Sequence, residues 1–139
     1  MTHSVGMTVE LVRSNRLFSG VPYAYAATVA ETGLIVTAGA CPLDVQGRVV
    51  APGDVAAQTR QALANLRITL EECGAELRDV LKTTIYVSSG NRDDLVVAWN
   101  EVARSFGDYD PPSTLLGVAV LGYPDQLVEI EAIAVATRL

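Results

Sequence analysis

"PGDVAAQTRQALANLRITLEECGAELRDVLKTTIYV", residues 52–87, changes its hydrophobic period part-way along, and that change decides the fold. From Asp54 onward Val55, Ala62, Leu63, Leu66, Leu70 and Cys73 recur at helical spacing. Asp54 is a suitable N-cap, and Gly74 stands where a C′ residue belongs, so a helix is predicted between them. In "VLKTTIYV" (80–87) the period falls to two: Leu81, Thr83, Ile85 and Val87 alternate with Lys82, Thr84 and Tyr86. This predicts a strand with one face to the core.

Working outward, "MTVELV" (7–12) alternates as a short strand. "YAYAATVAETGLIVTAGA" (23–40) is two strands joined around Glu31-Thr32-Gly33. Pro42, Gly47, Pro52 and Gly53 mark the stretch between them and the helix as loop. Downstream, a second helix is expected from about Asp93 to Phe106, with Leu95, Trp99, Val102 and Phe106 on one side and Gly107 closing it. Two last strands, about 114–120 and 127–136, flank a turn at "GYPD". The order predicts an α+β protein, a sheet with both helices on one face. The other face would be apolar and exposed in a lone chain, so association of subunits through it is expected.

The totals agree. At 139 residues, with no repeat or linker, one domain over 1–139 is expected, and half of the residues are hydrophobic. A formal net charge of −6 with scattered basic residues gives no field to draw phosphate backbones, so no nucleic-acid partner is expected. The two cysteines, Cys41 and Cys73, have no metal or redox spacing, and neither a leader nor a membrane span is legible. A cytoplasmic protein with reduced thiols is the expectation. His3 is the only histidine, which speaks against catalytic triads and histidine metal sites; neither a cofactor nor a metal is expected, and no phosphate-binding glycine motif occurs.

The chemistry-bearing candidates are few. In "LVEIEAIAVA" (127–136) Glu129 and Glu131 share one face while Val128, Ile130, Ala132 and Ala134 fill the other. A carboxylate in such a strand either finds a partner, is poised for acid/base work, or is simply solvated at an edge. Tyr23 and Tyr25 also share a face, for stacking a flat ligand or for cross-strand packing. Trp99 lies on the helical stripe, a core residue or a ligand contact. Cys41, with no cation near it in sequence, is expected to be an inert thiol. In "PPSTLLGVAV" (111–120), Ser113-Thr114 at the mouth of a strand is either turn chemistry or the lip of a ligand site.

From about Val21 to Ala136, "GRVVAPGDVAAQTRQALANL", "DVLKTTIYV" and "LVEIEAIA" make the chain resemble the RidA/YjgF family. The resemblance implies a chorismate-mutase-like fold with a mixed six-stranded sheet. It also implies a homotrimer with a central barrel and ligand clefts between subunits. Many members hydrolyse reactive 2-imino acids and enamines to 2-keto acids and ammonia without a cofactor; others are described as binding proteins, translation inhibitors or ribonucleases. Glu129 matches the glutamate thought to position the attacking water. Tyr23 or Tyr25, the Gly39 backbone, Trp99, Ser113 and Thr114 fall at the cleft.

This sequence departs from the deaminase pattern at several places, among them Leu115, where the pattern often has a cysteine. Ser113 stands where the pattern has an arginine that clamps the substrate carboxylate, a loss of roughly 1–3 kcal/mol. Ala38-Gly39-Ala40 replaces Ser-Gly-Gln, and Trp99 stands at a position that is often Asn. Arg104 or Arg16 are the cations that could replace the clamp. The expectation is a protein for a small imine, enamine or related metabolite without a well-placed carboxylate, with Glu129 as acid/base. The alternative is a non-catalytic metabolite-binding trimer. An RNA-cleaving role is opposed by the acidic charge and by a histidine content limited to His3.

Overall fold

The computed structural model describes residues 6–136; His3 and Arg138 lie outside them. Strands β1 (Val9–Val12), β2 (Ala26–Val29) and β3 (Leu34–Thr37) are followed by helix α1 (Val55–Glu72) and strand β4 (Val80–Ser88). Helix α2 (Arg92–Phe106) and strands β5 (Ser113–Val118) and β6 (Val128–Val135) complete the chain. The six strands form one mixed sheet in the order β1-β2-β3-β6-β4-β5. Only the β4–β5 pair is parallel, because α2 carries the chain back to the start of the sheet between them.

Local chemistry sets the element ends. Asp54 caps α1 by accepting from the Ala57 amide at 2.9 Å, and Asn91 caps α2 by accepting from Asp93 at 2.9 Å. At the β2–β3 turn Gly33 adopts φ +75°, and the Ala136 carbonyl oxygen lies 2.6 Å from where a Cβ would stand, so only glycine fits.

Both helices pack on one face. Leu63, Leu66 and Leu70 of α1, with Ala98, Val102 and Phe106 of α2, meet Ile35, Val80, Ile85, Val87, Val128, Ile130, Ala132 and Ala134 of the sheet in one core. The alternation expected for β6 is present: the four apolar residues are inside, with Glu129 and Glu131 on the other face.

The alternation expected for β4 fails at its start. A register shift between Val80 and Lys82 turns Val80 inward and leaves Leu81 49% exposed. A bulge adds one residue and so reverses the faces before it. Trp99 is likewise off the core stripe: Ala98, Val102 and Phe106 form the buried line at i, i+4, i+8, and Trp99, about 100° around the helix, is 39% exposed.

The open sheet face is also not uniformly apolar. Val9, Leu11, Val36 and Ile133 are exposed at one end. Across β4 and β6 the face is polar, where Tyr86 donates to Glu131 at 2.5 Å and Lys82 donates to Thr114 at 2.5 Å. Among the described residues no helix is long and apolar enough to cross a membrane.

Candidate functional site

Glu129 is placed by a break in the sheet. β3 pairs with β6 through Val36, and the buried Thr37 hydroxyl then accepts from the Ala132 amide at 3.0 Å in place of a ladder carbonyl. The chain re-pairs at Ala40, whose amide donates to the Ile130 carbonyl at 2.7 Å. Gly39, at the break, lies directly against Glu129: a Cβ there would stand 2.3 Å from Oε2 and 2.5 Å from Cδ. Glycine is required by this approach alone, because its φ is not left-handed.

The other oxygen of Glu129 is held from two sides. The Cys41 thiol donates to Oε1 at 3.3 Å, the shorter of its two contacts, the Gly39 carbonyl lying at 3.5 Å, and Gln126 donates Nε2 to Oε1 at 3.1 Å. Cys41 is buried and Gln126 nearly fully so. Burial first, and then the Glu129 charge, push the Cys41 thiol up to about 12, so at neutral pH it remains a protonated donor. This agrees with the inert thiol expected from sequence, and adds a partner 88 residues away.

Tyrosines surround the thiol. The Tyr23 hydroxyl is 3.1 Å from that of Tyr123, and burial, the Tyr123 hydrogen bond and the neighbouring Cys41 all raise its pKa. Tyr25 meets Tyr23 edge-on at 6.2 Å, but its own hydroxyl donates to the Phe18 carbonyl and so anchors the preceding segment. Tyr23, not Tyr25, presents its hydroxyl to the Cys41 side. Glu131, one step along the face, accepts from Tyr86, whose phenol this hydrogen bond lifts to about 12.

Two buried amides of α1 hold the loops that bring these groups together. Gln58 donates to the Asp125 carbonyl at 2.9 Å and accepts from the Leu127 amide at 2.7 Å, fastening the loop that carries Tyr123 and Gln126. Asn65, seven residues on and on the same helical face, donates to the carbonyls of Cys41 and Leu43, both at 2.9 Å. Sequence reasoning missed Cys41 as a partner of Glu129, and missed Gln58, Asn65, Tyr123 and Gln126 altogether. The one available signal was a pair of amides on the apolar stripe of α1.

Ser113, Thr114 and Trp99 are not brought to Glu129 within one chain. Ser113 pairs with Thr83, three rungs along β4 from Tyr86, which faces Glu129. With about 3.3 Å per residue and about 4.8 Å between strands, the separation is roughly 14 Å. Ser113 and Trp99 instead line a cavity of about 220 Å³ with Val102, Phe106, Tyr109 and Pro111. Among the described residues its one charged wall residue is Asp110.

The Ser113 hydroxyl is engaged internally, 3.0 Å from the Pro111 carbonyl and 2.5 Å from the Thr83 hydroxyl. Its single proton is therefore committed inside the chain, to the Pro111 carbonyl or the Thr83 hydroxyl. Arg16 and Arg104 do not enter this cavity; they pair with Glu71 at 2.8 Å and Glu101 at 3.0 Å on the surface. A larger depression of about 610 Å³, walled by Arg67, Glu71, Arg78 and Asp108, contains none of the candidate residues. Among the described residues no group of three or more His, Cys, Asp or Glu could hold a metal.

The family model described as Endoribonuclease L-PSP matches residues 15–136. The chain belongs to the RidA/YjgF family. A RutC family protein of Pyrococcus horikoshii is 36% identical over 111 residues, 79% of this chain and 85% of that protein. The 2-iminobutanoate/2-iminopropanoate deaminase of Escherichia coli K12 is 36% identical over 114 residues, 80% of this chain and 86% of the enzyme. The crystal structure of a YjgF-family protein from Mycobacterium tuberculosis superposes with a TM-score of 0.73 at 35% identity, covering 92% of this chain and 99% of that one. The α+β architecture with six mixed strands and two helices is thus that of the RidA/YjgF structures.

The raised Cys41 and Tyr86 groups carry a pH consequence. Both are neutral acids whose folded pKa, about 12, lies above the unfolded values of 9.0 and 10.0. Above pH 9 the unfolded chain releases protons that the folded chain keeps, so the stability these groups confer is complete below pH 9 and lost between pH 9 and 12. Urea midpoints should therefore fall steadily over that range. With Cys41→Ala the fall between pH 9 and 10 should become shallower without vanishing, because burial also holds the Cys73 thiol above its ordinary value.

Proposed function

We propose that this RidA/YjgF-family chain binds a small imine, enamine or related carbonyl-derived metabolite that carries no carboxylate, and hydrolyses it with Glu129 orienting the attacking water. The observation that carries this reading is the contrast between the two halves of the site. Glu129 is held rigidly with one oxygen uncommitted, whereas the position of the carboxylate-clamping arginine is a serine whose proton is already used. Beside that serine the walls are Trp99, Phe106 and Pro111, with Asp110 the one charge among the described residues, and such a surface repels a carboxylate.

In the proposed reaction water adds to the imine carbon while its proton passes to Glu129. Glu129 hands that proton to the nitrogen, which gives a neutral carbinolamine and restores the carboxylate. Collapse of the carbinolamine breaks the C–N bond, moves the hydroxyl proton through Glu129 to the nitrogen, and releases ammonia and the carbonyl product. Water and imine balance carbonyl and ammonia, so the scheme needs no cofactor.

The chain would assemble as a homotrimer, each cleft joining the Glu129 half of one subunit to the Ser113–Trp99 half of the next. Support comes from the separation of roughly 14 Å between Glu129 and Ser113 within one chain and from the exposed Val9, Leu11, Val36 and Ile133 on the open sheet face. Light scattering giving the mass of one chain would remove the shared cleft. Freshly generated 2-iminobutanoate and its uncharged counterpart, the imine of 2-butanone, test the substrate class. The neutral imine should be hydrolysed with the higher kcat/KM, and Ser113→Arg should reverse the preference by about ten- to a hundredfold. Equal rates for both imines, or preference for the acid in the unaltered protein, would overturn this reading.

A further inference from the structure

The Glu129 carboxylate has two unlike oxygens. Oε1 accepts from the Cys41 thiol and from Gln126 Nε2, whereas Oε2 lies over the Cα of Gly39, where a single methyl group would displace it. The two donors come from separate loops, one fastened to α1 through Asn65 and the other through Gln58. Gln126 is itself locked, because it donates to the Val128 carbonyl at 3.0 Å and accepts from the Tyr123 amide at 3.1 Å. The carboxylate therefore cannot rotate to exchange its oxygens without breaking bonds at Oε1.

We infer that Cys41 and Gln126 are positioning residues that saturate Oε1, so that Oε2 is the oxygen that takes and returns the proton of the attacking water. This rests on the reaction proposed above. Cys41 acts only through Glu129: it remains a thiol throughout, and no bond to sulfur forms or breaks. A thiol suits the role, since a compact, weakly acidic donor holds the carboxylate without competing for its proton.

The test uses the intact protein and two readouts. First, the S–H stretching bands of Cys41 and Cys73 are separated by infrared spectroscopy, using Cys41→Ala for assignment. The Cys41 band should lie at lower frequency, as expected for a donor to a carboxylate, and should move in Glu129→Gln. Second, imine hydrolysis is compared in the unaltered protein, Cys41→Ala and Cys41→Ser. Cys41→Ala should lower kcat about three- to tenfold with KM unchanged, the value of one hydrogen bond, and the hydroxyl of Cys41→Ser should restore most of it.

A Cys41 band that coincides with that of Cys73 and ignores Glu129→Gln overturns the inference whatever the kinetics. So does an unchanged kcat in Cys41→Ala when the unaltered protein is active. If no imine is hydrolysed but the band responds to Glu129→Gln, the anchoring of Oε1 stands and it is the proposed reaction that falls, taking the assignment of Oε2 with it.

Discussion

Glu129→Gln is expected to lower imine hydrolysis by about 10²- to 10⁴-fold, in kcat and not in KM, while the fold survives. The amide has the shape of the carboxylate, and its oxygen can still accept from Cys41 and Gln126 at the Oε1 position. What changes is the atom over Gly39: an NH₂ group there donates hydrogen bonds and takes no proton from water. Binding is retained and the chemical step is lost. Rates measured under saturating substrate, with circular dichroism to confirm the fold, check this. An unchanged rate would mean that Glu129 serves only to satisfy the Cys41 and Gln126 donors; a protein that binds imine but never turns it over would be a metabolite-binding protein.

The second large effect is structural. Gln58→Leu should cost about 3 kcal/mol of stability, read as a lower urea midpoint. Gln58 is fully buried, and its amide is the partner of the Asp125 carbonyl and the Leu127 amide. Leucine matches the volume but leaves those backbone groups without a partner, and an unmet buried polar group costs its full desolvation. The same change unfastens the loop that delivers Gln126 to Glu129, so activity should fall beyond what the loss of folded protein explains. Arg60→Ala, two residues along on the exposed side of α1, is the control and should move the midpoint by no more than about 0.5 kcal/mol. Equal midpoints for Gln58→Leu and the unaltered protein would contradict the assignment of Gln58 as a clamp.

Where sequence-based expectation and structure part company, the cause is a contact between distant segments. Leu81 alternates correctly with its neighbours, yet β4 must bulge at Val80 to keep register with β6, and the bulge turns Leu81 outward. Trp99 has the character of a core residue, but the core line through Ala98 is the one the sheet accepts. The face of Glu129 follows from period two alone, which Glu131 shares; the resemblance is what set Glu129 apart. Its surroundings were not legible, because Cys41 and Gln126 approach it through loops whose paths depend on α1. The open sheet face carries Lys82, Tyr86 and Glu131 among its apolar residues, a mixture that becomes visible only when β4, β5 and β6 lie side by side.

Taken by itself, the sequence determined the two helices with the Asp54 cap of the first, the six strands to within a few residues, and the inward and outward sides of β6. Each depends on residues within a few positions of one another, where backbone geometry imposes a period of 3.6 or 2. Only the tertiary structure decided that β6 lies between β3 and β4, that a thiol and an amide seize one oxygen of Glu129, and that the Ser113 hydroxyl is committed inside the chain. Those contacts join residues as far apart as Leu34 and Val135, and their geometry is set by strand register and by polar groups that must find partners once burial removes water.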